Sequence, residues 1–449
     1  MSKTLTKIVV LGAGESGMGA AVLAKKIGAD VWVSDGSKIT ERCKYLFLSE
    51  DIPFEEENHT LSRILEADLI IKSPGIPEKA EIMKIIREAG KKVVSEIEFA
   101  SCYTKAKIIA VTGSNGKTTT TSLIYHLLKN ASWNVGLGGN IGKSFALQVA
   151  QNNFDYYVLE VSSFQLDDID TFKPNVAVIT NITADHLDRY EYQISKYAAA
   201  KFRILMNQAE SDYFIYNNKD AITMEILEKM GEILPKEGVF GGRVAGLMAA
   251  WQEQDEIHTR INAVRDRIDL SKLQLRGKHN AQNIMAAILA VRAIGLPPRY
   301  IHQHLPTFAP IEHRIEKVAD IEGVEYINDS KATNVDSAYF ALECIKKPII
   351  WIAGGVDKGN DYQPLVGLVK ERVKAIVILG GGGDALKSAF GKNVSTFVES
   401  QSMEEAVKAA KSLAQNGDCV LLSPCCASFD LFKNYEDRGK QFKQFTVKQ

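Results

Sequence analysis

The chain has 449 residues, 45% hydrophobic and 24% charged, a balance that excludes a disordered or fibrous protein and suffices for buried cores. Its 54 Lys plus Arg stand against 55 Asp plus Glu, and a net charge of −1 argues against a general polyanion binder. No apolar run is long enough for a membrane span, no secretory signal is visible, and the six cysteines lack C-x-x-C spacing, so reduced thiols in a cytoplasmic protein are expected.

Short apolar runs alternate with helical patterns, which predicts α/β architecture with largely parallel sheets. KIVVLG, DVWVSD, DLIIKSPG and KKVVS form a first group of strands, ending near Glu96. KIIAVTG opens a second group, continued by YYVLEVSS and PNVAVITNI, to the loop around LPTFAPIEHR, where Pro306 and Pro310 interrupt the pattern. KPIIWIAGG, VKAIVILGGGG and CVLLSP form a third. Residues 231–275 show no legible pattern, and no chemistry is assigned to them.

The first group carries Gly12, Gly14 and Gly17 as G-x-G-x-x-G after a strand, with Asp35 closing the next strand. Glycines let backbone approach a diphosphate and the acid suits a ribose hydroxyl, so a nicotinamide-dependent dehydrogenase is one reading. The second group holds Gly113, Ser114, Asn115, Gly116, Lys117, Thr118 and Thr119 between a strand and a helix. Backbone N–H groups and the helix dipole favour phosphate there; Lys117 would reach the terminal phosphates and Thr118 a Mg²⁺ ion. The spacing G-x-x-G-K-T is two residues tighter than the usual phosphate loop.

Glu160 ends an apolar strand, where a metal-binding acid or a buried capping carboxylate would both sit. His186, in NITADHLDRY, suits a metal ligand, a substrate contact or a structural histidine. Lys201, in YAAAKFRIL, reads as a helix-surface lysine or a positive charge, since an ammonium has no lone pair for Mg²⁺. Asn280 and Asn283 open an apolar helix in GKHNAQN, and Arg314 follows in EHRIE. Asp329, Ser330, Lys331, Thr333 and Asn334 crowd NDSKATN; helix capping explains one or two of them.

T-G-S-N-G-K-T-T and N-x-x-x-D-H-L-D-R-Y resemble the ATP-dependent amino-acid ligases of bacterial cell-wall precursor synthesis and the related folylpolyglutamate synthases. N-D-S-K-A-T-N and L-S-P-x-x-A-S-F-D-x-F-K-N-Y-E-D-R-G resemble the branch that adds D-glutamate to UDP-N-acetylmuramoyl-L-alanine through an acyl phosphate. The resemblance spans essentially the whole chain. It implies a Rossmann-like domain over 1–97 for the UDP end of the sugar substrate, a P-loop ATPase-like domain over 98–308 for ATP and two Mg²⁺ ions, and a Rossmann-like domain over 309–449 for D-glutamate.

Residue by residue, the resemblance places Glu15, Ser16, Asp35, Ser73, Pro74 and Gly75 at the uridine and diphosphate, and Asn140, Ser162, Gln165 and His186 at the muramoyl portion. Gly36 and Ser37 stand where some members carry a basic residue beside the uracil. Residues 113–119 with Asn280, Asn283, Arg314 and Asp329 are implied nucleotide contacts. Thr118, Glu160, His186 and a CO2-carbamylated Lys201 are implied metal ligands, the carbamate supplying anionic oxygens that lysine lacks. Lys331, Thr333, Lys358, Ser428, Phe429 and Tyr435 are implied around D-glutamate. Lys117, Glu160, His186 and Lys201 would carry the chemistry. A cytoplasmic monomer is expected, working on small molecules without nucleic acid or membrane. A sibling ligase for another amino acid and a non-catalytic nucleotide-binding regulator are the other readings.

Overall fold

The computed structural model describes residues 6–448 except 262, 263, 276, 310 and 358. The chain divides into two compact units, Met1–Phe308 and Ala309–Gln449.

The first unit contains two sheets. One is formed by β1 (Lys7–Leu11), β2 (Asp30–Ser34), β3 (Phe54–Glu55), β4 (Leu69–Lys72) and β5 (Val93–Ser95). These strands are parallel and lie in the order β3-β2-β1-β4-β5. This is a Rossmann-like winding, with its switch point between β1 and β4. Val9, Val10 and Leu11 are buried on both faces, which is why β1 reads as an unbroken apolar run rather than an alternation. Each such side chain contributes ~1.5–3 kcal/mol on burial, so the sheet centre anchors the turns that leave it.

The second sheet comprises β6 (Lys107–Thr112), β7 (Val135–Gly139), β8 (Tyr156–Glu160), β9 (Val176–Ile179), β10 (Tyr213–Asn217), β11 (Lys236–Gly241), β12 (Met248–Glu253), β13 (Glu256–Ile261) and β14 (Val264–Asp269). Their order is β14-β13-β12-β11-β10-β9-β6-β8-β7. Strands β6 to β12 are parallel to their neighbours, whereas β12, β13 and β14 pair antiparallel. The stretch 231–275 therefore contains strands. Their half-exposed, charge-rich alternation at a sheet edge lacks the continuous apolar run that marks the parallel strands.

The second unit holds β15 (Glu316–Ile321), β16 (Val324–Asn328), β17 (Ile349–Gly354), β18 (Val373–Leu379), β19 (Phe397–Ser400) and β20 (Cys419–Cys425). They lie in the order β15-β16-β20-β17-β18-β19, and only the edge strand β15 runs antiparallel. Functional loops in such sheets leave the carboxyl ends of the strands. Three segments meet that rule: Gly12–Ser16 after β1, Gly113–Gly116 after β6, and Asp329–Thr333 after β16.

Candidate active site

The first glycine turn opens a cleft of about 540 Å³, whose lining includes Gly12, Glu15, Ser16, Asp35, Ser73, Pro74 and Gly75. A helix, Glu15–Lys26, starts directly at the turn. Gly17 has to be glycine, because a Cβ there would fall 1.8 Å from the Gly12 carbonyl oxygen. Asp35 reaches back from β2: its Oδ2 accepts the Ala13 N–H at 2.7 Å and its Oδ1 the Ser37 N–H at 2.8 Å. Ser73 donates to the Gly12 carbonyl at 3.2 Å, tying β4 to β1 at the switch point. The sequence reading missed His59, which lines the same cleft; a lone histidine in a polar loop carries no spacing signal.

The second turn is tighter and cationic. Gly116, at φ +82°, caps the helix Lys117–Asn130. A Cβ on Gly116 would lie 2.2 Å from Asn283 Oδ1, so Asn283 packs against the turn, and Asn283 donates in turn to Asn280 Oδ1 at 3.3 Å. Asn181 accepts the Asn115 N–H at 2.9 Å and donates to the Asn115 carbonyl at 3.0 Å. Thr180 adds a bond to the same carbonyl at 2.6 Å. Thr180 and Asn181 follow β9, adjacent to β6, so the loop is buttressed by its neighbouring strand; the sequence analysis gave neither residue a role at this loop. Lys117 folds over the loop, donating to the carbonyls of Gly113 and Ser114, both at 2.8 Å. Thr118 and Thr119 are buried in the helix's first turn.

Lys201 is not a surface lysine. It is 1% exposed, and its Nζ also donates to the Gly113 carbonyl at 2.8 Å. Burial first, and then the charge of Lys117, hold its pKa well below the usual lysine range, with Asp185, Asp167 and Glu160 opposing. Nζ also lies 4.3 Å above the Tyr197 ring, one helical turn earlier.

Glu160 ends β8, adjacent to β6, and its Oε1 accepts from Asn140 Nδ2 at 2.8 Å. Its buried Oε2 has no hydrogen-bond partner among the described residues. Gln165 Oε1 accepts from the Ser162 N–H at 2.9 Å in a capping box, while Gln165 Nε2 is likewise buried without a partner among the described residues. Such atoms cost ~1–3 kcal/mol each when nothing satisfies them, and concentrate at sites that receive a ligand. His186 has a left-handed backbone, φ +53°, and packs edge-on against Phe164 at 5.2 Å. Arg189 lies 4.2 Å over the Phe164 ring and donates to the Pro74 carbonyl at 3.1 Å, joining this site to the cleft.

Among the described residues no three His, Cys, Asp or Glu side chains converge on a metal position. Mg²⁺ does not need such a cage, since it takes one or two carboxylates together with phosphate and water oxygens. The orphaned Glu160 oxygen and the Thr118 hydroxyl supply hard donors of that kind.

In the second unit, Asp329 is buried after β16. Its Oδ2 accepts from Ser423 Oγ at 2.9 Å and its Oδ1 from the Ile315 N–H at 3.2 Å. Burial pushes its carboxyl up to about 7, against those bonds and the charge of Arg314. Arg314 Nε is buried with no hydrogen-bond partner among the described residues. Lys331 lies 5.2 Å over the Tyr435 ring, and Ser330 donates to the Tyr435 carbonyl at 2.8 Å. Thr333 belongs to the same loop, Ser428 is buried after β20, the neighbour of β16, and Phe429 is exposed. Arg438 clamps the two loops, donating to Ser330 O at 2.8 Å and Cys426 O at 3.2 Å. Lys358 lies outside the described residues.

Residues 6–95, 111–291 and 313–426 match, in order, "Mur ligase MurD-like, N-terminal domain", "Mur ligase middle domain" and "Mur ligase, glutamate ligase domain". The chain is 50% identical over 438 residues to the UDP-N-acetylmuramoylalanine–D-glutamate ligase of Christiangramia forsetii, covering 98% of each. The chain belongs to the Mur ligase family. The ligase of the same name from Bacteroides fragilis is 48% identical over 445 residues, covering 98% of this Mur ligase and 99% of that protein. UDP-N-acetylmuramate-alanine ligase MurC from Thermotoga maritima has the same fold at a TM-score of 0.62, with 20% identity over 99% of this chain and all of that one. The turn at Gly12, Gly14 and Gly17 falls inside the MurD-like N-terminal match, which removes the ground for a dehydrogenase.

Proposed function

We propose that this Mur ligase joins D-glutamate to UDP-N-acetylmuramoyl-L-alanine in peptidoglycan precursor synthesis, converting ATP to ADP and phosphate. The observation that carries the reading is identity of about half, along nearly the full length, to relatives named for that reaction. The L-alanyl carboxylate would take the γ-phosphoryl group of ATP, releasing ADP. The D-glutamate amine would then attack the acyl carbon; the C–N bond forms, the C–O bond to phosphate breaks, and a proton leaves the amine.

The work left to the protein is positioning and charge neutralisation. The N–H groups at the start of Lys117–Asn130 would receive phosphate, with Lys117 exchanging its loop carbonyls for phosphate oxygens. Asn280 and Asn283 flank this turn, and Arg314 and Asp329 are the nucleotide contacts of the second unit. Two Mg²⁺ ions, held by Thr118, Glu160, His186 and a carbamylated Lys201, would neutralise phosphate charge when bound. CO2 adds to an uncharged amine, and burial lowers the Lys201 pKa well below the usual lysine range, which supports the carbamate. Glu15, Ser16, Asp35 and Ser73–Gly75 would hold the UDP end, and Asn140, Ser162, Gln165 and His186 the muramoyl end. Lys331, Thr333, Lys358, Ser428, Phe429 and Tyr435 would surround D-glutamate. The reading carries with it functional segments 1–97, 98–308 and 309–449, and a cytoplasmic monomer.

Phosphate release with ATP, Mg²⁺ and UDP-N-acetylmuramoyl-L-alanine tests it, comparing D-glutamate, L-glutamate, L-lysine and no amino acid. Release that requires D-glutamate is expected. Stimulation by another amino acid would make this a sibling ligase, and silence with all of them would leave the non-catalytic regulator.

A further inference from the structure

We infer that His59 reads the base of the nucleotide held in the first cleft, accepting a hydrogen bond from the uracil N3–H through Nε2. The inference rests on the cleft being the UDP site. His59 follows β3, the strand beside β2, and lines the cleft with Gly36 and Ser37. A nucleoside diphosphate seated at the start of Glu15–Lys26 with its ribose at Asp35 has its base beyond β2, on the β3 side, where His59 stands. The imidazole lies over Gly36: a Cβ there would be 3.0 Å from Nε2.

The hydrogen bonds behind the ring fix which nitrogen faces the cleft. Ser34 Oγ lies 2.7 Å from His59 Nδ1 and 2.8 Å from Glu55 Oε1. Glu55 also accepts from Thr60 N at 2.7 Å, Thr60 Oγ1 at 2.6 Å, Asn58 Nδ2 at 3.3 Å and Trp32 Nε1 at 3.4 Å. Burial opposes ionisation of Glu55, but these donors outweigh it and hold its pKa below the ordinary carboxylate value. An ionised carboxylate only accepts. The single Ser34 proton therefore goes to Glu55, or to the Asn58 carbonyl at 3.4 Å, which also only accepts. Ser34 must then accept from Nδ1–H. In the neutral ring this leaves Nε2 as a lone-pair acceptor toward the cleft. Uracil offers N3–H to such an acceptor. Cytosine offers a bare N3, and two acceptors facing each other repel.

Calorimetry of UDP and CDP against the full chain tests this, with ATP KM and thermal melting as controls for folding. The wild type should prefer UDP by ~10-fold or more, the scale of one hydrogen bond gained and one repulsion avoided. His59→Ala should bind UDP ~10-fold more weakly with CDP little changed, His59→Gln should retain part of the preference through its amide oxygen, and Ser34→Ala should lose part of it. Equal weakening of both nucleotides in His59→Ala, or no change in either, overturns the proposal. A wild-type chain whose UDP fails to compete with the UDP-sugar refutes the reading of the cleft itself.

Discussion

The two glycine turns of the first unit share one plan, a buried parallel strand running into a helix N-terminus, yet they are finished with opposite charge. The turn after β1 is faced by Asp35 and Glu15, and a carboxylate already accepts the Ala13 N–H. The turn after β6 is faced by Lys117 and Lys201, both donating to one carbonyl. The first suits a ligand that brings hydroxyls and a base as well as phosphate; the second suits a ligand that is mostly phosphate. Each turn also has a buried ionisable group behind it. Burial, and then the charge of Lys117, lower the Lys201 pKa well below the lysine range, and burial raises the Glu96 carboxyl to about 7, with Glu15 a minor contributor.

The largest expected effect tests whether the turns are separable. On the proposed reading, Lys117→Ala should lower kcat by ~10³-fold, because it removes the charge assigned there to the transferring phosphoryl group. Calorimetry should find UDP-sugar binding unchanged. A parallel loss of UDP-sugar affinity would mean that the two turns form one site.

Glycine substitutions sharpen the comparison at a smaller scale. Gly116→Ala combines φ +82° with a Cβ 2.2 Å from Asn283 Oδ1, and should cost ~1–3 kcal/mol of stability while raising the KM for ATP. Gly14→Ala meets nothing within 4 Å at φ −70°, and should melt as the wild type does. If Gly14→Ala still weakens UDP-sugar binding, the space over Gly14 is where the diphosphate lies. If it leaves binding untouched, the diphosphate sits elsewhere along the turn.

Much of this was legible because backbone chemistry announces itself locally. Gly12, Gly14 and Gly17, or G-S-N-G-K-T, need only a strand before and a helix after, and hydrophobic runs supply both. The antiparallel strands β12 to β14 lay hidden because one-sided burial at an edge leaves no long apolar run. The environment of Lys201 was equally invisible. Its helix pattern is that of a surface residue, and only tertiary packing buries Lys201, which lowers its pKa well below the usual lysine range. His59 depends on β3 lying beside β2, a pairing across some twenty residues that no motif encodes.

The smallest expected effect on activity concerns Glu96. Its Oε1 accepts from Ser144 Oγ and the Ala146 N–H, both at 2.6 Å, while Oε2 is buried with no hydrogen-bond partner among the described residues. Burial lifts the carboxyl from the ordinary 4.5 to about 7, so the folded chain keeps a proton that the unfolded chain releases. Stability from this group is therefore complete below about 4.5 and is lost as pH rises through about 7, a difference on the order of 3 kcal/mol. Glu96→Gln mimics the protonated form at every pH. Between pH 5 and 8 the variant should lose less thermal stability than the wild type, with kcat unchanged at pH 8. An identical fall in both proteins would mean that Glu96 ionises freely, and that only the second turn is backed by a group whose pKa is shifted by burial.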